Sequence, residues 1–116
     1  MAERILLVQG DTRPRLIIDL ADETTGEPID VSDAGTTVVV KFREVGSETI
    51  KATLACTKLI TTGNATPGAA GRVQALWPAG ALDTAGSFEG EIEISFSDGT
   101  VQTVYDKLKF KVREEF

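Results

Sequence analysis

The stretch "SFEGEIEISFSDGT", residues 87–100, decides how this chain is read. Successive side chains of a β-strand point to opposite faces. That alternation sends Phe88, Ile92, Ile94 and then Phe96 to one side, with Gly90 interrupting the row. Glu89, Glu91, Glu93 and Ser95 fall on the other side. The pattern is that of a half-buried strand, with the carboxylates as its solvent face. Asp98-Gly99 then signals a hairpin, because glycine supplies the positive φ of a tight turn.

The returning strand carries the complementary pattern. Leu108, Phe110 and Val112 alternate with Lys107, Lys109, Lys111 and Arg113. A two-residue Asp98-Gly99 turn would pair Phe96 with Val101 and Ile94 with Thr103. Continued unchanged, that register drives lysines into the core, since a slip of one residue exchanges the faces. A shift is therefore expected, either a bulge near Val104-Tyr105-Asp106 or a three-residue loop at Asp98-Gly99-Thr100. With it, Phe88 meets Phe110 and Glu91 meets Lys107. The resulting cross-strand ladder sets register more than stability, at ~0–1 kcal/mol for each exposed pair.

The rest of the chain repeats the theme. Alternating or β-branched runs at Arg4–Val8, Arg15–Ala21, Thr36–Arg43, Ile50–Leu54 (extending toward Ile60) and Gly71–Pro78 are separated by Gly-, Pro- and Asp-rich turns. No helical periodicity competes, so the chain reads as all-β. Its 116 residues fit one domain, residues 1–116. Residues 61–70 form the stretch richest in breakers. Thr61, Thr62, Gly63, Asn64, Ala65 and Thr66 are accordingly the candidate partner-binding loop. Cys56 reads as a small core residue, and Trp77 as core rather than as a sugar platform.

Composition removes several function classes. A net charge of −6 disfavours nucleic acid and anionic membrane as partners, because phosphate binding draws on Lys and Arg. There is no histidine, hence neither a Ser-His nor a Cys-His pair nor a His-based zinc site. The single cysteine makes an internal disulfide impossible. Same-face strand residues lie ~7 Å apart, too dispersed for the converging oxygens that calcium needs. The clustered acids Asp19, Asp22 and Glu23, and Asp30 with Asp33, lack the spacing of a calcium loop. The expectation is a non-enzymatic protein without cofactor or metal.

Several segments, in order, resemble one phage family. These are "GDTRPRL" at 10–16, "DETTGEPIDVSDAGTTVVVKFRE" at 22–44, "GRVQALWP" at 71–78, "DTAGSFEGEIEISFSDG" at 83–99 and the final "KFKV". Together they are similar to the immunoglobulin-like N-terminal domain of upper baseplate proteins of tailed phages, found also in tail-fibre proteins. The resemblance spans almost the whole chain, and 83–99 is its most specific part. It implies an immunoglobulin-like β-sandwich of about seven to nine mostly antiparallel strands, here without a disulfide. On that resemblance Gly90 stands at the place of a sandwich's second cysteine, and Phe88 replaces the tyrosine that ties the corner in such folds.

The implied role is structural. The protein would be made in the host bacterial cytoplasm and act in the virion. There it would contact other virion proteins as a symmetric homo-oligomer. Family members run on into a stalk and a receptor-binding part, whereas this sequence ends at Phe116. The expectation is a tail or baseplate adaptor or accessory subunit joining fibre or receptor-binding components to the tail. The alternatives are a host-surface module that binds a glycan or protein, and a capsid decoration protein.

Overall fold

The computed structural model describes residues 4–22, 24–104 and 107–116. Eight strands follow one another: β1 (Arg4–Val8), β2 (Leu16–Asp19), β3 (Thr37–Glu44), β4 (Ala52–Lys58), β5 (Arg72–Ala75), β6 (Gly86–Ser95), β7 (Val101–Thr103) and β8 (Leu108–Arg113). They hydrogen-bond in the order β1-β8-β6-β3-β4-β5-β2, with β7 beside β6. All pairings are antiparallel except β1 with β8. The result is a mostly antiparallel mixed sheet curled into a half-barrel.

The curl passes through β4. Its first half, Ala52–Ala55, pairs with β3, and its second half, Cys56–Lys58, pairs with β5. One strand thus serves both ends of the sheet and brings their apolar faces together. Alternation supplies those faces: Val38, Val40 and Phe42 from β3, Phe88, Ile92 and Ile94 from β6, Phe110 and Val112 from β8, Val73 and Ala75 from β5. Phe42 sits among the rings of Trp77, Phe88 and Phe110, with centroids 4.9–5.3 Å away. Trp77 is buried, and its Nε1 donates to the Pro14 carbonyl at 2.9 Å. The indole is therefore core, as expected, and its one polar atom is satisfied.

Gly90 has a packing reason. A Cβ there would lie 3.0 Å from both Phe110 Cε2 and Val40 Cγ1. The missing side chain is the space that the Phe110 ring occupies.

The register shift is present, with its three-residue loop placed differently from the expectation. Phe88 lies opposite Phe110, as the sequence predicts. The turn is a three-residue loop, Ser97-Asp98-Gly99, closed by Phe96 N–H donating to the Thr100 carbonyl at 2.8 Å. It sits one residue earlier than the loop expected at Asp98-Gly99-Thr100. Ile94 consequently faces Gln102 rather than Thr103, and Ser95 faces Val101. A second adjustment follows, because Glu93 pairs with Thr103 while Gly90 pairs with Leu108. The returning chain thus spends two more residues than β6 between these pairs. The bulge expected at Val104-Tyr105-Asp106 falls partly outside the described residues, which omit Tyr105 and Asp106.

Candidate functional site

The acidic row of β6 lies on the convex face of the sheet, as alternation requires, but it is not uniformly wet. Glu89 is only 7% exposed. Its Oε2 accepts from Arg43 Nε at 2.8 Å, and its Oε1 lies 3.8 Å from Lys107 Nζ. Glu93 pairs with Lys41 at 3.1 Å. The expectation of a solvated face therefore needs correction at Glu89, whose carboxylate is walled in by Arg43 of β3 and by Lys107 just before β8. Lys107 reaches Glu89 instead of the expected Glu91, because the β6–β8 ladder stops at Gly90 and Leu108.

Half of this ladder was not seen from the sequence. The register pairs Lys41 with Glu91 and Arg43 with Glu89. The signal was available in "VKFRE", where Lys41 and Arg43 alternate with buried Val40 and Phe42. Only the pairing of β3 with β6 gives that alternation its meaning. A shallow pocket lined by Lys41, Arg43, Ile50, Glu89, Glu91 and Lys107 lies over the ladder. Three cations and two carboxylates line it, and Glu93 beside Lys41 supplies a third carboxylate, so the ladder as a whole is balanced, which suits register and solubility better than the capture of an ion.

The remaining acids shape turns or hold single cations. Asp22 Oδ1 accepts from the N–H groups of Thr24 and Thr25, Asp30 from Ser32, Asp33 from Gly35, and Asp98 from Thr100. These are side-chain-to-backbone bonds of the kind that stabilise Asx turns. The Thr100 bonds hold the Asp98 carboxyl below its ordinary pKa, and the Ser32 bonds do the same for Asp30. Asp19 is gripped by Arg72 through two bonds, 2.7 and 3.1 Å, which lower its pKa. Among the described residues, no group of three or more His, Cys, Asp or Glu side chains is placed to hold a metal.

Cys56 is half-buried against the core, and burial pushes its thiol up to about 11. A neutral thiol is a poor nucleophile. Lys58, the nearest cation in the sequence, is directed elsewhere, its Nζ donating to the Asp33 carbonyl at 2.6 Å.

The candidate partner loop is a built turn. Thr61 and Asn64 exchange backbone hydrogen bonds at 3.1 and 3.0 Å across Thr62 and Gly63. Asn64 Oδ1 accepts from Thr66 N–H at 3.2 Å. Thr62, Gly63, Ala65 and Thr66 are exposed, while Thr61 and Asn64 are half-buried. The segment presents a small polar knob without an aromatic or charged side chain, and it stands apart from the charged ladder.

A second surface was missed from the sequence. Arg13, Pro14, Arg15, Gln74 and Leu76 line an open groove at the β2 edge. Its residues come from segments about sixty positions apart, so no local pattern announces it. No family model, curated protein or solved structure matches the chain.

Proposed function

We propose that this chain is an immunoglobulin-like β-sandwich acting as a non-enzymatic structural protein of a phage virion. Its role is that of a tail or baseplate adaptor, or accessory subunit, that joins fibre or receptor-binding components to the tail. The observation that carries the proposal is the place of residues 83–99, the most specific part of the family resemblance. They supply β6, which pairs along its length with β3 on one side and with β7 and β8 on the other. The passage of β4 from β3 to β5 supports the sandwich reading, since it sets β2 and β5 against the apolar face of β3, β6 and β8. The acidic row is absorbed into a charge ladder, which supports a scaffold rather than a reaction centre. The burial of Trp77 takes away the main support for a glycan-binding surface.

Purified virions of the source phage test this reading by quantitative mass spectrometry. The protein is expected at a symmetric copy number relative to the portal and tail proteins. Its absence from the particle, with expression in the infected cell, would overturn the proposal.

A further inference from the structure

Arg13, Arg15, Glu114, Glu115 and Phe116 are all exposed. Among the described residues none of these arginines or glutamates enters an ion pair, whereas Lys41, Arg43, Lys51, Arg72 and Lys107 all do. The arginines flank Pro14, whose carbonyl is held by Trp77 Nε1, so their backbone is anchored to the core. On the same outer face, Ile17 lies opposite Gln74, and the register continued one step puts Arg15 opposite Leu76. Ile17 and Leu76 are 52% and 60% exposed. Gln74 also lines the groove, and its Oε1 is enclosed and accepts no hydrogen bond.

The groove therefore offers two positive charges and an apolar strip, beside a side-chain amide whose oxygen has no partner in its present rotamer. Its complement is a short segment with two negative charges, a large apolar side chain and free backbone N–H groups. The chain contains that segment in Glu114-Glu115-Phe116, which follows β8 and belongs to no strand. Phe116 is fully exposed, touched by Arg113 at 5.1 Å from its ring centre.

We propose that Glu114-Glu115-Phe116 of one copy docks in the Arg13/Arg15/Gln74/Leu76 groove of a second copy. Phe116 covers Ile17 and Leu76, the glutamates meet Arg13 and Arg15, and the Gln74 amide turns to accept a backbone N–H. Both halves lie near the β1–β2 connection: Glu115 Oε1 is 3.5 Å from where a Gly10 Cβ would stand. A twofold axis there lets each copy give its segment to the other, which closes the assembly as a dimer. The contact is small, so the dimer is weak and concentration-dependent. The inference rests on the symmetric homo-oligomer expected from the sequence and is indifferent to whether the particle is a virion.

Charge exchange tests it. The variant Arg13→Glu/Arg15→Glu has an acidic groove and an acidic segment. The variant Glu114→Arg/Glu115→Arg has a basic groove and a basic segment. Each is expected to be monomeric by sedimentation at concentrations where the wild type dimerises, with the dissociation constant raised at least about tenfold. Mixed in equal amounts they should form a one-to-one heterodimer, because both contacts are then complementary. Starting from −6, each exchange moves the net charge by four, to −10 and −2. Both partners remain acidic, so bulk attraction does not explain the pairing, and heterodimer formation also shows that the variants are folded. A wild type that stays monomeric, self-association unaffected by either exchange, or variants that fail to pair when mixed would overturn the inference. The virion measurement is independent of all three outcomes.

Discussion

The Phe42 ring of β3 stacks on the Phe88 ring of β6, with centroids 4.9 Å apart and planes 13° from parallel. Trp77 and Phe110 meet Phe42 edge-on at 5.0 and 5.3 Å, and each other at 5.4 Å. These four residues come from four regions of the chain, so the cluster ties the two ends of the curled sheet together.

Removing its centre should be costly. Phe42→Ala is expected to lower the unfolding free energy by about 3–5 kcal/mol, and Phe42→Leu by less. Small domains have only about 5–15 kcal/mol in hand, so the alanine variant loses much of its margin. Urea unfolding followed by Trp77 fluorescence measures both. Equal costs for the two substitutions would show that the space at Phe42 is not the determining factor.

Gly71 adopts φ +82°, and a Cβ there would lie 2.6 Å from the Leu20 carbonyl oxygen. That carbonyl belongs to the residue whose N–H donates to Gly71 O at 2.8 Å, so neither backbone can yield cheaply. Gly46, at φ +89°, has nothing within 4 Å of its Cβ position. Gly46→Ala should therefore cost only the left-handed strain, about 1–2 kcal/mol. Gly71→Ala should cost at least about 3 kcal/mol, placing it among the severe single substitutions. Thermal or urea unfolding of the pair separates steric from conformational cost.

Arg43 and Glu89 form the least exposed ion pair of the ladder. Arg43→Met leaves a nearly buried carboxylate with only the more distant Lys107, and should destabilise by about 2 kcal/mol. The double variant Arg43→Met/Glu89→Leu removes the stranded charge and should recover most of that loss. A double-mutant cycle in urea reads the coupling. An additive result would mean that the pair does not act as a unit.

Burial pushes the Cys56 thiol from its ordinary 9.0 up to about 11 in the fold. Its contribution is fully present below pH 9 and is lost as pH rises through 11, because only the unfolded chain ionises readily in that window. Up to about 2 kcal/mol of stability should disappear across it, after allowance for partial solvent access. Other groups titrate there too, so the quantity to follow is the difference between wild type and Cys56→Ala. At pH 8, reaction with a disulfide reagent should be slow in buffer and fast in guanidinium. Prompt reaction of the native protein would contradict the burial.

Much of the fold was legible in local pattern. The β6 alternation, the opposed pattern of β8 and the need for a register shift all follow from the two-residue period of a strand. Where the shift falls was not legible, because the loop and the extra residues after Thr103 trade against each other without changing which side chains face inward. Glu89 shows the same limit at the candidate site. Its neighbours in sequence are those of an exposed strand residue, and its burial comes from Arg43, forty-six positions away.

The sequence by itself determined the strands, their inner and outer faces and the acid–base complementarity of β6 and β8, since each depends on residues two apart along the chain. Only the tertiary structure decided which strands neighbour one another beyond β6 and β8. That pairing order places Lys41 and Arg43 beside the glutamates and buries Trp77 against Phe42 and Phe110. It also gathers Arg13, Arg15, Gln74 and Leu76 into one groove. Hydrophobic burial is non-directional and rewards any arrangement that hides the apolar faces. Backbone pairing and ring packing select one arrangement, and with it the surfaces the protein presents.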